Sequence, residues 1–421
     1  MFIIVILGLI LIFFLNYKFL GNFYSVLNPV SISIYVWILV VVCHNYYFSY
    51  KQYTDLTYLI ILLGNIALAI GFWGTAKKRV VFGKHKISTK SIEYDIQGVK
   101  KILKVLTFIE IIRIIYNIYI VVYKLAGSWN VFLNSSTYVR RLYLSYNGGT
   151  SSNMFEFFCN ANALVAYVLI GVILARGTKR EKIYFVFWSF LELIYALITM
   201  SKMCLIIYII VVTTTCINNL STSYEQKKVV KKYLPLVSIA IFGFLLLIGL
   251  QRNYDQKNNA LMHVVLQEAG VYFSGPVEAL GKYISLYGSE MTLGLKTFAI
   301  FARIFSRLGI STNTAILAHG DDIFIGYESI NAYTWYKVFY QDFSYFGIII
   351  IPLIIGAIAG IFYLRKKHDF IYDTCCSWIS AVIAMSFYTF MWGQTIYIFI
   401  LFYAYVIHKK YSYILYKMEG D

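Results

Sequence analysis

The sequence predicts an all-α, polytopic integral membrane protein, and three observations carry that expectation. Hydrophobic residues make up 60% of the chain and charged residues only 14%, where soluble domains carry about 25% charged residues. The mean hydropathy is +0.68. Apolar stretches of about 20 residues, the length that crosses a hydrocarbon core of about 30 Å, recur from one end of the 421-residue chain to the other.

The stretches fall at 2–20, 29–47, 57–75, 101–123, 155–175, 182–199, 203–218, 233–250, 343–364, 373–390 and 392–409, which predicts about eleven transmembrane helices. The first has no basic residues ahead of it and no small-residue cleavage site, so it reads as a retained span. Only Met200, Ser201 and Lys202 divide the sixth stretch from the seventh, which predicts a tight helical hairpin, and the last two stretches part as tightly near Trp392 and Gly393.

The net charge of +17 does not point to nucleic acid, because the basic residues sit in short loops between apolar runs. Lys77, Lys78, Arg79, Lys84, Lys86, Lys90, Lys100 and Lys101 mark one cytoplasmic loop, and Lys179, Arg180 and Lys182 a second. Lys227, Lys228, Lys231 and Lys232 mark a third, Arg365, Lys366 and Lys367 a fourth, and Lys409 and Lys410 the tail. These agree with one topology: N-terminus outside, C-terminus cytoplasmic, eleven crossings. The chain then divides into helices one to eight over 1–250, with a smaller outer loop at 124–154; a large extracytoplasmic loop at 251–342; and helices nine to eleven with the tail at 343–421.

Within the large loop, 261–287 is apolar enough to lie in or re-enter the interface, with Gly270, Gly275 and Pro276 expected to interrupt helix. Leu295 to Leu308 reads as a basic amphipathic helix, with Phe298, Phe301, Ala302 and Phe305 toward lipid and Lys296, Arg303 and Arg307 toward headgroups or a ligand. No internal repeat is visible, which counts against a transporter built from two related halves. The six cysteines lie in or beside apolar runs without metal-ligand spacing and read as packing residues.

Neither a nucleotide-binding fingerprint nor a pair of histidines at zinc spacing occurs, so no cofactor and no metal is expected. The first outer loop is purely basic and the second mixes both signs, an arrangement that suits an anionic, phosphate-bearing donor at the membrane surface. Transfer from such a donor needs cations for the departing phosphate, a base for the acceptor hydroxyl, and aromatic surface. Arg140, Arg141, Arg252, Arg303 and Arg307 are the cation candidates, since guanidinium offers the bidentate fork that lysine lacks; each could equally meet lipid headgroups. Glu278, Asp342, His319 and Glu268 are the candidate bases, although Glu278 or Asp342 could instead cap a helix and His319 could be a plain loop histidine. Tyr272, Asn331, Tyr333 and Tyr336 complete the candidate substrate surface. Glu110 and Arg113, three apart in one span, can pair on one helix face, and Glu192 lies inside another; packing is the simpler reading of all three.

Several short patches resemble the bacterial O-antigen and capsular repeat-unit polymerases. They are Asn28-Pro29 opening the second span, Ser201-Lys202 in the short turn, Arg252 after a span, Tyr272 to Leu280, Gly294 with Thr297-Phe298, and Asn331-Ala332-Tyr333-Thr334 leading to Tyr340, Asp342-Phe343 and Gly347. The resemblance implies a metal-independent, inverting glycosyl transfer at the outer face of the bacterial cytoplasmic (inner) membrane. The growing glycan would pass from undecaprenyl pyrophosphate to the non-reducing end of a new lipid-linked repeat unit. The implied partners are the undecaprenyl-pyrophosphate-linked oligosaccharide, the bilayer, a chain-length regulator and a flippase, with no nucleic acid. Arg252, Arg140 and Arg141 fall at places matching the family's substrate-handling arginines, although the first outer loop is short for the family. The alternatives are an O-antigen ligase, similar in architecture, and a flippase or exporter of lipid-linked oligosaccharide.

Overall fold

The computed structural model describes residues 1–21, 27–47, 54–82, 93–135, 138–140, 142–143, 154–220, 222, 224–229, 231, 261–288, 291–299, 301–302, 305, 308–309, 323–324, 329–330, 332–366, 369–389 and 396–416. In chain order these form α1 (Phe2–Leu20), α2 (Pro29–Tyr47), α3 (Thr54–Phe82) and α4 (Ile96–Ile118), which runs on as a π-helical stretch at Tyr119–Leu125. Then come α5 (Trp129–Asn134), α6 (Met154–Arg176), α7 (Ile183–Thr199), α8 (Lys202–Asn219) and α9 (Leu261–Tyr287). A two-residue antiparallel pair, β1 (Ile323–Phe324) and β2 (Ser329–Ile330), precedes α10 (Trp335–Arg365), α11 (Phe370–Ala384) and α12 (Ile396–Leu415).

Seven helices among the described residues are long and apolar enough to cross a membrane, within α1, α2, α3, α4 with its π extension, α6, α10, and α11 with the turn after it. α7 and the 203–219 part of α8 are apolar but shorter, and between them lies the expected tight turn, with Met200 left-handed at φ 51°. The expected span at 233–250 lies outside the described residues.

The chain forms two compact units. Unit 1 comprises Met1–Thr89, Ala269–Arg365 and Trp378–Thr395. At its N-terminal side Asn28 caps α2, its Oδ1 accepting the Ser31 N–H at 3.0 Å, with Pro29 in the first helical position where no N–H is needed. Asn16 of α1 donates to both Asn28 Oδ1 and Ser31 Oγ at 3.0 Å and accepts from Trp73 Nε1 of α3 at 2.9 Å, so buried amides tie three apolar helices together. α3 and α10 press backbone to backbone. A Cβ at Gly71 would strike the Leu353 carbonyl, and one at Gly356 the Leu68 carbonyl; Gly356 and Gly360 are four apart, the small-residue spacing of close membrane helix packing.

α9 runs unbroken through Gly270, Gly275 and Pro276, contrary to the expected interruption. A proline removes one N–H and leaves the helix around it intact where packing holds it, and Val277, Ala279 and Leu280 directly after it are fully buried. α10 breaks instead at Phe343 and Ser344, the latter at φ 54°. In the expected amphipathic segment, Phe298, Phe301 and Phe305 are exposed as anticipated, but Ala302 faces inward.

Unit 2 comprises Lys90–Glu268, Lys366–Ser377 and Ile396–Asp421. α6 is buried along most of its length, and Gly171 lets it approach Val212 and Thr215 of α8. Asp95 caps α4 by accepting from the Gln97 and Gly98 N–H groups, while its own N–H donates to the Leu415 carbonyl at 2.8 Å. Lys100 donates to Glu181 Oε1 at 2.8 Å. None of the six cysteines is joined in a disulfide.

Candidate acid-base site

In unit 1 the α9 carboxyl group singled out by sequence, Glu278, has a partner from α2. Glu278 Oε2 lies 3.1 Å from His44 Nε2, and His44 Nδ1 lies 2.9 Å from the Tyr58 hydroxyl of α3. His44 is fully buried at 0% and Tyr58 nearly so, while the Glu278 side chain keeps 10% exposure. The carboxylate is therefore the member of the relay that meets the outside, and the imidazole, fixed at both nitrogens, sets its orientation. A proton can pass between carboxylate and imidazole without rearrangement.

Six residues earlier on α9, Tyr272 stacks face to face on Tyr388, with centroids 5.0 Å apart and planes 2° apart. Their hydroxyls meet at 3.4 Å. Phe273 beside it stacks on Phe387 at 5.4 Å.

Asp342 is engaged elsewhere. Its carboxylate accepts from Thr292 Oγ1, from the Lys296 N–H at 3.1 Å and from the Thr297 N–H, and it is fully buried. That is a cap on the chain turning out of Gly294, with no lone pair turned outward for a substrate proton. Tyr333 packs edge-on against Tyr283 at 6.1 Å, and the Lys337 ammonium sits 3.4 Å above the Tyr333 ring and 4.6 Å above that of Tyr283. Tyr336 is wholly buried between Trp37 and Phe339, with Asn65 Nδ2 3.5 Å from its hydroxyl.

In unit 2, Arg140 donates from Nη1 to the Thr199 carbonyl at the C-terminal end of α7. Arg141, Arg252, Arg303, Arg307, His319 and Asn331 lie outside the described residues. The Glu110–Arg113 pair forms as its spacing predicts, at 2.9 Å. Arg113 also donates to Asn160 Oδ1, faces Glu156 Oε1 at 3.7 Å from Nε, and lies 3.5 Å over the Tyr195 ring. Among the described residues no three His, Cys, Asp or Glu gather in a way that could hold a metal ion.

His44 and Lys337 were not among the residues singled out from sequence. The signal for His44 was present: an ionisable side chain inside an apolar span is a functional candidate by default.

The helices define the class, an all-α membrane protein. Beyond that class, no family model, no curated protein and no solved structure matches the chain.

Proposed function

We propose that the chain is a glycan polymerase of the bacterial inner membrane. In this reading it crosses the membrane eleven times with its N-terminus outside, and it works on lipid-linked repeat units presented at the outer face. The acceptor sugar hydroxyl attacks the anomeric carbon of the growing glycan, the bond from that carbon to the pyrophosphate oxygen breaks, and undecaprenyl pyrophosphate leaves. Glu278 takes the hydroxyl proton, with His44 orienting it; Arg252, with Arg140, Arg141, Arg303 and Arg307 as further candidates, offsets charge on the leaving group. Tyr272 and Tyr388 offer a ring surface to a sugar.

The observation that carries the reading is the Glu278–His44 contact, a carboxylate at the edge of a buried relay within an otherwise apolar scaffold. A helix-capping or purely packing carboxylate needs no imidazole behind it. Disrupting the gene tests the function: a polymerase mutant keeps carrier or surface lipid bearing a single repeat unit. Long polymer retained on undecaprenyl carrier would mark a ligase, and no repeat outside the membrane would mark a flippase; either pattern overturns the proposal. Alkaline phosphatase fused after Glu290 is expected to be active and after Lys90 inactive.

A further inference from the structure

The polar cluster of unit 2 has a charge imbalance that the glycosyl-transfer reading does not use. α4 supplies Glu110 and Arg113, α6 supplies Glu156, and α7 supplies Glu192. All four are at least nine-tenths buried, Glu110 and Glu192 at 0% exposure. Among the described residues, the titratable groups facing Glu192 and its neighbours are Glu110, Arg113, Tyr143, Glu156, Cys159, Tyr167, Tyr195, Cys204 and Tyr208. Arg113 is the one cation in that set, against three carboxyl groups.

The carboxyl groups differ in what surrounds them. Glu156 accepts from the Tyr195 hydroxyl at 2.8 Å and from Asn117 Nδ2 at 2.9 Å, with Arg113 Nε 3.7 Å away, an environment made for an anion. Glu110 takes Arg113 Nη1 on Oε1, but among the described residues its Oε2 has no partner. Among the described residues Glu192 has a hydrogen bond on neither oxygen, and it is not within ion-pair distance of Arg113. The Tyr167 hydroxyl faces it without meeting hydrogen-bond geometry. With one guanidinium already shared by two carboxylates, a third anion lacking donors at 0% exposure carries a large desolvation cost. A proton on Glu192 removes that charge and turns an acceptor-only group into one that can also donate.

We propose that Glu192, with Glu110 beside it, is a proton-binding site in the membrane-embedded part of unit 2, loaded at neutral pH, with Arg113 as the fixed countercharge. The Glu192 carboxylate takes H⁺ from water to become a carboxylic acid, and no electron moves. The ligand is the proton itself, and the site is independent of the chemistry assigned to Glu278.

Infrared difference spectroscopy of the full chain in lipid nanodiscs, stepped between about pH 5 and 10, tests this. The expected result is a protonated-carboxyl stretch at neutral pH, shifted in D₂O, that disappears in E192Q and persists in E156Q. It must also persist in D373N, because Asp373 is another fully buried carboxyl group of unit 2, with one oxygen unpartnered among the described residues. Absence of the band from the wild-type protein at neutral pH overturns the proposal, whether or not E192Q folds, and so does a band that survives E192Q. Thermal unfolding gives a second reading: E192Q, a close copy of the protonated acid, is expected to match or exceed the wild-type Tm. A lower Tm would make Glu192 an anion paired in the fold and overturn the assignment.

Discussion

His44 and Glu278 stand 234 residues apart in the chain and 3.1 Å apart in the fold. If this contact orients a general base, Glu278→Gln lowers turnover by about 10²–10⁴-fold, the usual contribution of such a group. His44→Ala loses less, about 10–100-fold, because the carboxylate remains while its support is gone. Polymerisation of a purified lipid-linked repeat unit, scored as ladder length over time, measures both. Full-length ladders from normally expressed Glu278→Gln protein would remove Glu278 from the reaction.

Arg252→Ala is expected to reduce turnover by about 10²–10³, the scale of losing one donor to a developing oxyanion, with Arg252→Lys recovering part of it. An immunoblot of membrane fractions must first show equal protein. A wild-type ladder from Arg252→Ala shifts the assignment to Arg303 and Arg307.

Asp342→Ala should act on stability, since three donors lose their acceptor. The expected loss is about 1–3 kcal/mol, with Asp342→Asn milder because the amide oxygen still accepts. Denaturation in detergent micelles measures it. An unchanged Asp342→Ala midpoint together with a collapse in turnover would return Asp342 to the list of bases.

Two glycines of α3 make a matched pair. Gly71→Ala forces a methyl group onto the Leu353 carbonyl and is expected to cost about 1–3 kcal/mol, whereas Gly74→Ala meets open space and is expected to be neutral or slightly stabilising. Equal melting temperatures for the two variants would mean that α3 and α10 are not in backbone contact.

Lys366 gives a pH dependence of defined sign. The residue is part-buried, and its ammonium donates to Asn218 Oδ1 at 3.0 Å. Burial pushes its pKa down from 10.5 to about 8, only partly opposed by Cys376 and Asp373. Between those values the unfolded chain binds the proton that the folded chain has released, so this residue's contribution to stability rises with pH across that window. The penalty is fully present below about pH 8. The Tm advantage of Lys366→Met over wild type is therefore expected to be largest below that pH and to shrink as pH rises toward 10.5; a pH-independent difference contradicts a desolvated ammonium.

Much of the helical architecture was legible because apolar length is written directly in the sequence: α1, α2, α3, α4 with its π extension, α6 and α10 cover the stretches that predict them. The Glu110–Arg113 pair was legible for the same local reason, a spacing of three on one helix. Long-range pairing was not. Nothing near Glu278 in the chain announces His44, and the hydroxyl and amides that occupy Asp342 lie 45 to 50 residues before it. The continuity of α9 was hidden because a Gly-Pro pair reads as a break when the packing that holds the helix through it cannot be seen.

The tight seam between α3 and α10 also has a temporal meaning. Thr75 bonds to the Ala357 carbonyl 282 residues later in the chain. At translation speeds of about 5–20 residues per second, α3 enters the membrane roughly 15–60 s before its partner exists. During that interval its glycine face, shaped for another backbone, has only lipid or the insertion machinery against it. The birth of this protein includes a waiting period in which a nascent helix must be kept from pairing with the wrong neighbour.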